Sequence, residues 1–148
     1  MSENASRAAA MVDCVLPVLA DDVAPDGSQV RLLASASYGG MAHFELGAGE
    51  TSVAQRHRTV EEIWFVLEGL GQMWRDPIDG PARVIDMRPG VSLAIPVGTH
   101  FQFRNTGRVP LTVIGVTMPP WPGPQEAVEV DGVWEPTIPA RVTSDADG

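Results

Sequence analysis

The sequence has one cysteine, Cys14. A single thiol cannot close an intramolecular disulfide, and it belongs to no metal-type Cys spacing, so a disulfide scaffold or a cysteine-built zinc site is excluded. Positive charge is scarce as well. Ten Lys and Arg stand against nineteen Asp and Glu, for a formal net charge of −9. No basic cluster offsets that balance, which argues against nucleic acid and anionic membrane surfaces as partners; its plain consequence is solubility. No apolar run approaches the ~20 residues of a membrane-spanning helix. The start, Arg7-Ala8-Ala9-Ala10-Met11-Val12, has a faint secretory character, but Asp13 breaks the run, Glu3 offsets Arg7 and Pro17 follows closely. A cytoplasmic protein is the expectation. Serine has no G-x-S-x-G setting, and Cys14 has no histidine near it in sequence to activate it, so nucleophilic hydrolysis is not expected.

Turn residues, in contrast, are abundant: 15 Gly and 13 Pro in 148 residues. The length suits one domain with a single core. An arm over residues 1–28 ends in the turn signature Ala24-Pro25-Asp26-Gly27-Ser28. Short runs rich in Val, Ile, Leu and aromatics then occupy 30–35, 41–46, 62–67, 72–74, 83–87, 91–95, 101–105 and 111–118, with Gly, Pro, Asn and Asp clusters between them. Eight strands at this spacing, with no convincing amphipathic helix among them, predict an all-β sandwich or barrel over residues 29–118. From residue 119 the run Pro119-Pro120-Trp121-Pro122-Gly123-Pro124 cannot form an interior strand. An arm over 119–148, clamped by Trp121 and Trp134 onto the sandwich or a second subunit and frayed past Pro139, is expected.

Two glycine-anchored frames carry the chemistry. In the first, Gly49 is followed by Gln55, Arg56, His57, Glu62 and, six residues after Glu62, Gly69. In the second, Gly90 is followed by Pro96, Gly98, Phe101 and Asn105. These frames resemble the two motifs of the cupin superfamily, G-x5-H-x-H-x(3–4)-E-x6-G and G-x5-P-x-G-x2-H-x3-N. The resemblance implies a double-stranded β-helix, or jelly-roll barrel, with a pocket in the barrel mouth, often in homodimers. In the family the motifs supply three His and one Glu to a divalent metal. This chain keeps His57 and Glu62 but has Gln55 in place of the first His and Phe101 in place of the third, so it looks like a small cupin with a degenerate ligand set.

Strand parity extends the list of candidates. With Glu62 pointing inward, Trp64 and Val66 follow; with Phe101 inward, Phe103 follows and His100 points away. Trp74 or Met73 from the next strand would complete an aromatic-lined cavity around a small polar island, the usual composition of a small-molecule site. The plainer alternative is that these rings are simply barrel core. His43 is one more potential ligand, although alternation in Met41-Ala42-His43-Phe44-Glu45-Leu46 favours His43 facing solvent. Arg56 and Arg58 should alternate away from His57, toward surface carboxylates.

Three functions follow. His57 and Glu62 could act as acid and base on a small carbonyl- or sugar-like compound, in isomerase, epimerase, dehydratase or cyclase chemistry, with Gln55, Trp64, Val66, Phe101, Phe103 and Trp74 lining the site. His57, Glu62, Gln55 and His43 could instead hold one Fe, Mn, Ni or Zn ion in a dioxygenase or isomerase. Or the barrel could bind a small ligand without turning it over. Nucleic acid and membrane are not among the expected partners.

Overall fold

The computed structural model of the chain describes residues 11–139. The expected fraying past Pro139, and the Arg7 to Ala10 part of the leader-like run, lie outside the described residues. Among the described residues eleven strands form two antiparallel sheets. They are β1 (Asp22–Val23), β2 (Gln29–Ser35), β3 (Gly40–Leu46), β4 (Gln55–His57), β5 (Glu61–Glu68), β6 (Gly71–Asp76), β7 (Arg83–Met87), β8 (Ser92–Ile95), β9 (His100–Asn105), β10 (Leu111–Met118) and β11 (Ala127–Glu129). One sheet runs β1-β2-β3-β10-β5-β8 and the other β11-β4-β9-β6-β7. All eight expected strands are present, and β7 and β10 have the expected limits. The three that local pattern did not reveal, β1, β4 and β11, are two or three residues long, too short to show a period.

β5 shows why these residues make a half-buried strand. Glu62, Trp64 and Val66 are buried while Glu61, Ile63, Phe65 and Leu67 are exposed, the period-two alternation of a strand with one face on a core. Trp64 and Val66 join Leu46, Met73, Met87, Phe101, Phe103 and Leu111 between the sheets. Glycines mark the corners. Gly69 has φ of 89°, and a Cβ there would come within 2.6 Å of the Pro110 carbonyl oxygen, so only glycine serves at that turn.

Both arms are held to the barrel. In the N-terminal arm, the buried Asp26 carboxylate accepts from the Ser28 amide at 2.9 Å and its hydroxyl at 2.7 Å, a turn that returns β1 alongside β2. The C-terminal arm contributes a strand: β11 pairs with β4, from Ala127 opposite His57 to Glu129 opposite Gln55. Further along, the Gln102 amide oxygen accepts from the Val133 and Trp134 amides, both at 3.0 Å, and the Arg104 guanidinium lies 4.2 Å from the Trp134 ring centre. The clamp expected of Trp134 is therefore a clamp onto β9.

Candidate functional site

His57 ends β4, and Glu62 lies near the start of β5 on the other sheet. The barrel brings them together: His57 Nδ1 lies 3.1 Å from Glu62 Oε2, and the two side chains are 3% and 4% exposed. The second carboxylate oxygen, Oε1, accepts from the Trp64 indole N–H at 2.8 Å. Gly115 makes that bond possible. It stands opposite Trp64 on β10, where a Cβ would lie 3.1 Å from the indole nitrogen and 2.8 Å from the Phe44 ring.

Aromatic rings enclose the pair. Phe101 meets the His57 ring edge-on at 5.3 Å between centroids, and Trp121 does so from another side at 5.0 Å. Trp64 packs on Phe44, Phe101 and Phe103. Burial among these rings penalises charge. It pushes the His57 imidazolium down to a pKa of about 4, despite the opposing field of Glu126, and pushes the Glu62 carboxyl up to about 7. For Glu62 the Trp64 hydrogen bond works against that rise and the charge of Asp26 adds to it. These directions pair a neutral imidazole with a carboxyl that holds its proton, and in that pairing Nδ1 is the acceptor across the 3.1 Å contact with Oε2. Apart from that contact, Nδ1 has no hydrogen-bond partner among the described residues.

The remaining candidates divide. Gln55 is buried on the face of β4 that carries His57 and is the cross-strand partner of Phe101. Val66 and Phe103 lie deeper in the core, fully covered. His100 is half-buried and pairs with Asp76 across β6, off the face that Phe101 presents to His57. Trp74 belongs elsewhere: Met73 turns inward, whereas Trp74 is buried on the outer face opposite Val84 and Gln102, and Gln102 there donates to the Trp134 carbonyl of the C-terminal arm. His43 also corrects the expectation. It is on the outer face of β3, as alternation requires, but only 6% exposed rather than facing solvent. Its cross-strand neighbour Arg31 is the cause: it pairs with Glu45 at 2.9 Å and holds the carbonyls of Pro17 and Val18, drawing the N-terminal arm in beside it. Burial, then the Arg31 charge, lowers the His43 pKa. On that face it cannot reach Glu62.

Two residues that sequence reasoning did not assign to the site close it. Trp121 was expected to clamp the arm, and it does so directly over His57. Glu126 accepts from the Thr59 amide at 2.6 Å, the Thr59 hydroxyl at 2.8 Å and the Val60 amide at 2.8 Å, fastening the arm to the loop between β4 and β5. Burial raises its pKa, but these hydrogen bonds and the nearby His57 prevail and the net shift is downward. Nothing in the local sequence around Glu126 signals that partner.

The donor set does not fit a resident divalent ion. His57 Nδ1 and Glu62 Oε2 are turned on each other, Oε1 is taken by the indole, and Phe101 fills the place of a third ligand. Among the described residues no three His, Cys, Asp or Glu side chains converge.

A sequence profile of the cupin domain matches residues 42–117. An uncharacterized protein of Methanocaldococcus jannaschii is 31% identical over 104 residues, covering 67% of this chain and 79% of that one. Among solved structures, a Bacillus halodurans protein superposes with a TM-score of 0.58 at 22% identity, over 70% of this chain and 76% of that one. The capsular polysaccharide assembling protein CapF from Staphylococcus aureus gives 0.65 at 16% identity, over 78% and 35%. Oxalate decarboxylase of Bacillus subtilis, which has Mn(II) centers, gives 0.63 at 16%, over 76% and 30%. This chain therefore spans about a third of the length of those last two proteins, and the likeness to all three structures is one of fold.

Proposed function

The chain belongs to the cupin family, and on that premise we propose that it handles a small organic, carbonyl- or sugar-like compound by proton transfer at His57 and Glu62. The observation that carries this reading is the buried 3.1 Å contact between a histidine held neutral and a carboxyl whose pKa is moved to about 7. Strongly perturbed acid and base groups in contact are a mark of functional sites.

The pair works as a unit. Nδ1 faces Glu62, so Nε2 is the nitrogen that addresses a ligand. Between about pH 4 and 7 the pair holds two protons, one between Glu62 and Nδ1 and one on Nε2, and Nε2–H is an acid. Loss of one proton leaves Nδ1–H donating to the Glu62 carboxylate, and the bare Nε2 is then a base. Isomerisation, epimerisation, dehydration and cyclisation of a carbonyl compound all need a group that can serve in both states. Trp121, 37% exposed on its proline-rich segment, covers the histidine and must swing aside for a ligand to enter.

The test is a thermal-shift and turnover screen of hydroxy acids, keto acids and monosaccharides with wild-type protein, His57→Ala and Glu62→Gln. A hit lost in both variants supports the reading. A hit bound and turned over equally by all three proteins sinks it. The metal-dependent alternative, which the donor set argues against, predicts stoichiometric Fe, Mn, Ni or Zn in protein purified without chelator, lost in His57→Ala.

The homodimer is proposed through the outer face of the six-stranded sheet. Met41, Val116 and Ile63 form one cross-strand row there, and His43, Ile114 and Phe65 the next. Met41, Ile63, Phe65 and Leu67 keep 39–50% of their surface exposed. In a chain of net charge −9, the part of these rows on β10 and β5 carries no Asp, Glu, Lys or Arg, and Arg31 enters the second row only at β2, beside the covered His43. The exposed apolar part is suited to a second copy.

A further inference from the structure

Arg75 and Arg83 stand directly opposite each other on β6 and β7. Like charges in that position destabilise a sheet unless something lies between them. Both project from the concave face: Arg75 is two residues past the fully buried Met73, and Arg83 two residues before Ile85, which packs against the core. They therefore stand at the rim of the barrel rather than on its outside. Arg75 spans the gap between the sheets, its Nη1 donating to the Ala94 carbonyl on β8 at 2.7 Å. The next residue, Ile95, is the cross-strand partner of Glu62, so the arginines and the His57–Glu62 pair share one end of the barrel.

The cleft between them is about 300 Å³, lined by Arg75, Pro77, Pro81, Arg83, Pro96 and Thr99. No acidic side chain lines it, in a chain where Asp and Glu outnumber Lys and Arg by 19 to 10. Arg75 Nε is buried with no hydrogen-bond partner among the described residues. Arg83 is exposed, and its side chain has no hydrogen bond or ion pair among the described residues. Burial and the Arg83 charge both disfavour the Arg75 cation, as expected of a site whose counter-ion comes from outside the chain.

From this geometry we infer that the cleft is an oxyanion subsite, in which a carboxylate or phosphate group of a small molecule bridges the two guanidiniums. Arg75 Nε and the free fork of Arg83 supply the donors, and Thr99 and the three prolines complete the lining of the cleft. Guanidinium geometry matches both anions, because each presents two oxygens at the spacing of paired N–H groups. The inference stands apart from the acid–base reading of His57 and Glu62, since neither residue lines the cleft.

The experiment is calorimetric titration of the whole chain with inorganic phosphate and, separately, with succinate, at constant ionic strength set with chloride. One saturable site per chain is expected for at least one of them, weakened about tenfold or more by Arg83→Met and by Arg75→Gln, as loss of a charge-assisted donor pair requires. Arg83 is exposed, so its variant tests the site even if Arg75→Gln does not fold. His57→Ala should bind as wild type does, which separates failure of this site from failure of the acid–base pair. Phosphate alone binding indicates a phosphorylated ligand, succinate alone a carboxylic acid, and both a general oxyanion. No heat beyond that of chloride, or unchanged affinity in Arg83→Met, overturns the proposal.

Discussion

At the scale of single residues, Glu62 and His57 pull stability in opposite directions with pH. Glu62 has a folded pKa of about 7 against an ordinary 4.5, so its contribution is complete below about pH 4.5 and is lost as pH rises to 7. His57 has a folded pKa of about 4 against an ordinary 6.5, so its contribution is complete above about pH 6.5 and is lost as pH falls to 4. Between about 4.5 and 6.5 the two slopes oppose each other and largely cancel. Glu62→Gln should remove one of them: its unfolding free energy, measured in urea across this range, should rise with pH by up to about 1.4 kcal/mol per unit. A profile as flat as that of wild type contradicts the assignment. A second residue carries backbone strain. Ile78 is β-branched, 62% exposed and has φ of 76°, a left-handed conformation such side chains rarely adopt. Ile78→Gly should raise stability by about 1 kcal/mol in thermal denaturation.

At the scale of elements, the C-terminal arm is a working part of the barrel. It supplies β11 to one sheet, the backbone partners of Gln102, and the ring that covers His57. Its fastening depends on Glu126. Glu126→Ala leaves the amides of Thr59 and Val60 without their acceptor, and the expected cost is about 2–3 kcal/mol. Limited proteolysis should then cut within residues 119–139 faster than in wild type. Trp121→Ala removes the cover without that fastening, so carbethoxylation of His57, followed by mass spectrometry, should become faster while cleavage of the arm stays slow. Much of this element was legible in outline: the proline run excluded an interior strand, and the paired tryptophans indicated a clamp. Its partners were not, because Trp121 reaches His57, and Glu126 reaches Thr59, across long stretches of chain.

At the scale of the whole molecule, the barrel has two differently finished surfaces. The outer face of the five-stranded sheet is covered by the chain's own C-terminal arm, through Gln102, Arg104 and Trp134. The outer face of the six-stranded sheet keeps Ile63 and Phe65 about half exposed. A second copy on that face would complete the coverage, and Phe65→Glu should turn a dimer into a monomer in sedimentation equilibrium with little change in circular dichroism. Monomeric wild-type protein at micromolar concentration removes the dimer from consideration.

The sequence by itself determined the barrel, the two glycine frames, the inward set Glu62, Trp64, Val66, Phe101 and Phe103, and the loss of two of the four family ligands. Alternation and turn chemistry decide these locally, through the period of two along a strand and the few residues that tolerate a left-handed turn. Only the tertiary structure decided that His43 is covered on the outer face, that Met73 rather than Trp74 turns inward, that Trp121 and Glu126 close the site, and that Arg75 faces Arg83. Each of these depends on which distant segments the sheets set side by side, and burial there, more than residue type, determines which groups can carry charge.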